Sequence, residues 1–151
     1  MQSIGTISAE QFMLHFYEDI RVQIDWPNLL VKNLTIECIQ IQNRNDLGEL
    51  YTVWGKDVNN EYTQNHSLTV KDSFPKSCET ALNNFSKQFL NLEVVLISAP
   101  AYKCNCGKYV LLDRTHRSIT LYRHNTERFR MIVYPIDAKF AFRDKCTHDT
   151  G

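Results

Sequence analysis

The side chains best suited to chemistry lie together in one short segment, residues 113–117, which read Asp-Arg-Thr-His-Arg. The apolar residues 109–112 before it favour a buried strand, and residues 115–125 have the spacing of a helix. A strand therefore delivers a polar cluster to the first turn of a helix. Backbone N–H groups and the positive end of the helix dipole favour anions there. The segment is a candidate phosphate site.

Each side chain of this segment has a role in such a site. Arg117 and His116 supply donors, since the planar fork of arginine matches phosphate oxygens. Arg114 and Thr115 complete the phosphate-binding set. Asp113 can coordinate magnesium or accept a proton from an attacking hydroxyl, and together with His116 it forms the candidate catalytic pair.

A purely structural interpretation stands beside the functional one. Asp113 would then be the N-cap of the helix, His116 a packed residue and Arg117 a surface charge. Capping needs only one polar side chain, whereas four polar residue types occur at this helix start. Convergent polar groups of this kind favour a functional anion site.

The second half of the chain predicts the elements that position the segment. Ser73 can cap a helix with Pro75 in its first turn, and apolar residues then recur at helical spacing up to residue 90. The other elements predicted here are strands over residues 94–97, 109–112 and 129–136, with a turn at residues 105–107.

The first half of the chain is harder to interpret. Ser8 followed by Gln11 resembles a capping box and predicts a helix that buries Phe12, Phe16 and Ile20. We expect that helix to be broken at residues 25–28. Beyond it we expect a strand over residues 34–42, a turn over 43–48, a second strand over 49–54 and a loop over 55–71.

Residues 111–117, Leu-Leu-Asp-Arg-Thr-His-Arg, resemble the Asp-Gly-x-His-Arg signature of the ParB/sulfiredoxin-like superfamily. The order of elements from residue 72 to residue 137 also resembles that of the family, with residues 34–42 as a first strand. The resemblance implies an α/β (α+β) fold in which a small mixed sheet is flanked by helices. A single domain, 1–151, would comprise a helical N-terminal extension (1–33), the core (34–137) and a C-terminal tail (138–151).

The resemblance also implies that the signature binds the phosphates of a nucleotide, namely ATP, ADP or CTP, together with Mg²⁺. Family members include nucleotide-hydrolysing partition proteins, ATP-dependent sulfinic-acid reductases and a kinase that phosphorylates free serine. Two departures matter. Arg114 replaces the glycine that would permit a tight turn. Thr115 replaces the catalytic cysteine of the sulfiredoxins, which argues against sulfinic-acid reduction.

Relatives with kinase activity use a glutamate from the early part of the domain to activate a substrate hydroxyl. Glu37, near the first predicted strand, and Glu49, beyond the following turn, are candidates for such an acidic base.

Composition restricts the partners. Lysine plus arginine and aspartate plus glutamate each number 17, so the net charge is zero. Nucleic-acid and membrane-surface proteins usually have a basic excess, so neither partner is expected. No apolar run approaches the length of a membrane span, and residues 1–20 lack the features of a signal peptide. We expect a cytoplasmic protein; its oligomeric state is not indicated.

The five cysteines are irregularly spaced, which favours reduced thiols over a disulfide scaffold. Cys104, Cys106, Cys146 and His148 could form a zinc site only if the C-terminus folded back. The single residue within each pair is shorter than the usual spacing of zinc ligands, so no zinc site is expected.

The sequence thus predicts a nucleotide-dependent phosphotransferase or hydrolase that acts on a small molecule. One alternative is a non-catalytic nucleotide- or anion-binding module that uses the same pocket. The other is a DNA-associated ParB-like nuclease, which would need a basic face. A second acidic residue facing the pocket would favour the enzyme over the module.

Overall fold

A computed structural model of the protein describes residues 1–52, 55–56, 62–63, 68–73, 94–123 and 128–142. It is a mixed α/β fold in which a six-stranded sheet is flanked by helices. None of the helices in these ranges is both long and apolar enough to cross a membrane.

The strands are β1 (Gln2–Ser8), β2 (Thr35–Ile41), β3 (Tyr51–Thr52), β4 (Gly55–Lys56), β5 (Tyr62–Thr63), β6 (Val95–Lys103), β7 (Tyr109–Leu111) and β8 (Phe129–Asp137). The helices are α1 (Ala9–Ile20), α2 (Trp26–Val31), α3 (Arg44–Gly48) and α4 (Thr115–Arg123), and a 3₁₀ turn spans Ala138–Phe140.

Strands β6 and β8 form the centre of the sheet. They pair in parallel along their whole length, from Val95 opposite Phe129 to Lys103 opposite Asp137. The strand order is β1-β2-β8-β6-β7-β3, with β2 antiparallel to β8, β7 antiparallel to β6 and β3 parallel to β7. The predicted mixed sheet with the strand before the polar segment as an inner strand is therefore confirmed.

The sheet has a hydrophobic core on each face, because side chains alternate along its strands. Ala101 of β6 points into the core that contains Ile119 and Leu121 of α4. Its neighbour Tyr102 points into the opposite core, which contains Phe12 of α1. Helices α1 and α2 thus cover one face, and α3 and α4 contribute to the core of the other.

Helix α1 begins with the predicted capping box. Ser8 Oγ accepts a hydrogen bond from the Gln11 N–H at 3.1 Å, and Gln11 Oε1 accepts one from the Ser8 N–H at 2.9 Å. The predicted burial of Phe12, Phe16 and Ile20 is confirmed. The expected break at residues 25–28 is also a helix start, since the Asp25 side chain caps α2 and Pro27 lies in its first turn.

Two predictions for the first half of the chain are wrong. Residues 2–8, expected to belong to a helical extension, form the edge strand β1 paired with β2. The side chains of β1 are mostly exposed, so no apolar alternation marks it as a strand. Residues 44–48, expected to be a turn, form helix α3. Asn43 is its N-cap, and Asn43 Oδ1 accepts a hydrogen bond from the Asp46 N–H at 2.9 Å. A five-residue helix is too short to show a period.

Three predicted strands are present with changed lengths. The strand expected over residues 34–42 is β2, and the one over 49–54 includes the two residues of β3, with residues 53 and 54 outside the described residues. The strand expected over 94–97 is much longer, because β6 continues through Ser98 and Pro100, which interrupt its apolar run.

The remaining expectations divide between described and undescribed parts of the chain. The final strand over 129–136 is β8. Within the expected loop 55–71, β4 and β5 form a two-stranded antiparallel pair. The helix predicted after Ser73 lies outside the described residues. At the start of the predicted tail, Phe140 is buried and Ala141 bridges to Ile24.

Replacing Ser8 by alanine is expected to lower the free energy of unfolding by about 1 kcal/mol, because α1 loses its N-cap acceptor. Urea unfolding followed by circular dichroism measures the change. Ser3→Ala is the matched control, since Ser3 is an exposed serine of the same strand without a capping bond. Its effect should stay within about 0.5 kcal/mol. Equal losses in both variants would contradict the capping role.

Candidate functional site

The polar segment lies where β7 leads into α4. Leu112, which follows β7, is buried; the chain then turns through Asp113 and Arg114, and the helix begins at Thr115. The Arg114 carbonyl accepts a hydrogen bond from the Ser118 N–H at 3.0 Å. The predicted order of strand, polar turn and helix is confirmed.

Two buried hydroxyls fix the start of α4 against the core. Ser118 Oγ donates to the Arg114 carbonyl and Thr120 Oγ1 donates to the His116 carbonyl, each at 2.8 Å. A buried hydroxyl without a partner would be unfavourable. Because these bonds satisfy both hydroxyls, the face of α4 that carries them can be buried together with Ile119 in the core. Packing of this face leaves the first residues of α4 at the surface.

Arg114 has a backbone φ of +69°. This is the left-handed region, which glycine enters freely and other residues disfavour. For an L-residue the conformation costs about 1–2 kcal/mol. Arg114 stands where the signature has glycine, so the chain departs from the signature in its side chain but keeps a backbone conformation that glycine favours.

The Arg114 guanidinium joins two carboxylates. Its Nη1 donates to Asp113 Oδ2 at 2.6 Å and its Nη2 donates to Asp19 Oδ2 at 3.0 Å. The side chains of Arg114, Asp113 and Asp19 are 25%, 37% and 34% exposed, respectively. Solvent therefore screens both ion pairs, and each contributes little to stability. Their structural effect is to join the end of α1 to the turn before α4.

A pocket of about 320 Å³ opens at this turn. Its described lining is one continuous run, residues 112–117. His116 and Arg117 are exposed to solvent, and Thr115 is half-buried. The volume suits a small-molecule ligand. The structure thus brings all five residues predicted from the signature to one pocket.

The structural interpretation of Asp113 as the N-cap does not agree with the geometry. Helix α4 begins at Thr115, so Arg114 occupies the position before it, and the Asp113 carboxylate engages the Arg114 side chain. The same interpretation expected His116 to be packed, whereas it is exposed. Arg117 is at the surface, as both interpretations require.

The two candidate glutamate bases lie elsewhere. Glu37 is exposed on β2. Burial raises the pKa of Tyr109, and the negative charge of Glu37 raises it further. Glu49 follows α3 and pairs with Lys71 Nζ at 3.1 Å; this hydrogen bond and charge raise the pKa of Lys71. Neither glutamate is among the described residues that line the pocket.

Asp19, which belongs to the first half of the chain, is a further acidic residue at the turn. Sequence reasoning missed it, because Asp19 and Arg114 are 95 positions apart. Its only sequence signal is its place near the end of an amphipathic helix, where an acidic residue is ordinarily a solvated charge.

The turn is suited to phosphate, but its carboxylates are not arranged for a divalent ion. Arg117 and His116 offer charged or polar donors at the surface, next to a helix N-terminus. Mg²⁺ requires carboxylate or other oxygen ligands, yet Asp113 and Asp19 both bond to Arg114. No group of three or more His, Cys, Asp or Glu within the described ranges could hold a metal ion.

The cysteines correct another expectation. Cys104 is disulfide-bonded, so the expectation of reduced thiols is wrong for this residue. Cys38 is a buried free thiol whose pKa burial raises, and Cys106 is an exposed free thiol. A disulfide removes the Cys104 thiolate that a zinc site would need. Cys146 and His148, the other half of that arrangement, lie outside the described residues.

A comparison with protein-family models, curated proteins and solved structures finds no match. The function is therefore argued from the geometry of the turn.

Arg114→Gly is expected to be more stable than Arg114→Ala by about 1 kcal/mol, because both lose the ion pairs and only glycine is unstrained at this φ. Urea unfolding of the two variants measures the difference. Leu14, 82% exposed in the middle of α1, supplies the matched control. There the alanine variant should be more stable than the glycine variant by about 1 kcal/mol, since the backbone is helical. The same order of stability at both sites would contradict the left-handed turn.

Proposed function

We propose that this protein is a nucleotide-dependent phosphotransferase or hydrolase acting on a small molecule, with the nucleotide phosphates held at residues 113–117. The observation that carries the proposal is the convergence of a carboxylate, a hydroxyl, an imidazole and two guanidinium groups on one pocket at a helix start. Structural capping requires at most one such group, and the clustering of five polar groups at one helix start favours a ligand site.

The backbone of the turn supports membership of the ParB/sulfiredoxin-like superfamily. Arg114 occupies the glycine position of the signature with a φ of +69°. An arginine adopts this conformation only where the surrounding structure imposes it. The mixed sheet with an inner strand that leads into the signature is compatible with the same fold.

In the proposed reaction the protein acts mainly by positioning and charge. Arg117 and His116 hold phosphate oxygens, Thr115 adds a hydroxyl donor, and the dipole of α4 favours the same negative charge. Developing charge on a transferred phosphoryl group is stabilised by donors of this kind. Asp113 is the candidate proton acceptor for the attacking hydroxyl, once its carboxylate is released from Arg114.

A non-catalytic nucleotide- or anion-binding module is the second candidate, and one observation favours it. Both described carboxylates at the turn, Asp113 and Asp19, are bonded to Arg114. Glu37 and Glu49 do not line the pocket in the part of the chain that the structure describes. A site whose carboxylates remain paired would bind a nucleotide without turning it over.

Phosphate binding at the turn is tested by calorimetric titration with ADP, ATP and CTP. The double variant His116→Ala/Arg117→Ala is expected to lose about tenfold or more in affinity, because it lacks two charged or polar donors. The control removes the same residue types elsewhere, as His15→Ala/Arg123→Ala, and should bind like the wild type. Unchanged binding in the first double variant would place the site elsewhere.

Catalysis is tested separately with Asp113→Asn. In a phosphoryl-transfer or hydrolysis assay over small hydroxyl compounds, its rate should fall by about two to four orders of magnitude, the usual contribution of general acid–base assistance. The thermal midpoint should change little, because the ion pair that is lost is solvent-screened. Glu49→Gln, which alters only the surface pair with Lys71, should keep full activity. Activity near that of the wild type in Asp113→Asn would favour the binding module.

A further inference from the structure

Arg114 places a fixed positive charge between two carboxylates. Its Nη1 is 2.6 Å from Asp113 Oδ2 and its Nη2 is 3.0 Å from Asp19 Oδ2. Two nearby carboxylate oxygens would otherwise be suitable ligands for a hard divalent cation such as Mg²⁺. Here the guanidinium occupies one oxygen of each carboxylate with a charge-assisted hydrogen bond.

We infer that phosphate ligands bind at this turn without a divalent metal ion, because the Arg114 guanidinium is bonded to the carboxylates that would hold the ion and can itself donate to phosphate. The inference rests on the proposed function, that is, on phosphate binding at residues 113–117. It differs from the expectation, drawn from the resemblance, that the nucleotide binds together with Mg²⁺.

A divalent cation at this turn would lie close to the fixed positive charge of Arg114. A divalent cation at Asp113 would either displace the guanidinium from Oδ2 or bind Oδ1 close beside it, and like charges at that distance repel. Arginine stays protonated at all ordinary pH values, so its charge cannot be removed to make room.

Arg114 also keeps donors for a ligand. A guanidinium has five N–H donors, and the two carboxylate bonds described above use two of them. The remaining three can donate to phosphate oxygens, since Arg114 lines the pocket. Asp19 and Asp113 thus position Arg114, and the side chain that replaces the signature glycine becomes part of the phosphate site.

The test is calorimetric titration of the full chain with ADP, in EDTA and in excess MgCl₂. The wild type should bind in both conditions with dissociation constants within about threefold of each other. Binding that requires Mg²⁺, or that is about tenfold or more tighter with it, would overturn the inference and leave the proposed function standing. No binding in either condition would overturn the proposed function, and the inference with it.

The variant Arg114→Gly tests whether the guanidinium contributes to phosphate binding. Glycine fits the left-handed turn, so the variant should fold, and circular dichroism checks this. In EDTA it should bind ADP about tenfold or more weakly than the wild type. Arg123→Ala, which removes one positive charge from the last turn of α4, should bind like the wild type. Binding by Arg114→Gly equal to that of the wild type would overturn the role of Arg114.

Manganese provides a readout that does not need the nucleotide. In water-proton relaxation measurements, the wild type should bind no Mn²⁺ at this turn, so that wild type and Asp113→Asn give the same titration curve. One Mn²⁺ ion per chain that is lost in Asp113→Asn would show that the carboxylate accepts a metal despite Arg114, and would contradict the inference.

Discussion

The parallel pairing of β6 with β8 is the interaction on which the rest of the structure depends. Nine residues of each strand pair without a register shift, so both strands are inner strands with a helical layer on each face. The hairpin from β6 then fixes β7 beside them. Because β7 is short and lies between β6 and β3, the chain that leaves it turns at one end of the sheet. The polar segment lies at that turn.

Charge at the turn links elements from opposite faces of the sheet. Asp19 belongs to α1, which packs into one core, whereas Arg114 precedes α4, which packs into the other. The strain of a left-handed arginine, about 1–2 kcal/mol, is similar in size to the gain from two partly exposed ion pairs. The turn is consequently held without being strongly stabilised.

Binding and catalysis place different demands on the same residues. In the proposed site, Arg117, His116 and the dipole of α4 would stabilise an anion whether or not it reacts. Catalysis further requires an unpaired proton acceptor, and in this structure Asp113 is paired with Arg114. The state of this one ion pair therefore separates the two functions proposed for the pocket.

The sequence by itself determined the elements whose stabilising interactions are local or periodic. The Ser8–Gln11 capping box, the apolar stripe of α1 and the order of strand, polar turn and helix around residues 109–123 were all predicted. The position of residues 113–117 around one pocket was predicted too, because neighbours in sequence at a helix start are neighbours in space. Strand β1 was missed, since an exposed edge strand has no apolar alternation, and α3 was missed because five residues show no period.

Only the tertiary structure decided how the site is charged. The conformation of Arg114 was not readable from its residue type, which by itself disfavours a positive φ. Its bond to Asp19 depends on the packing of α1 and α4 on opposite faces of the sheet, which brings together residues 95 positions apart. The tertiary structure also places Glu37 and Glu49 outside the described lining of the pocket. Local patterns specify which side chains a turn offers, whereas long-range packing specifies which charges surround them.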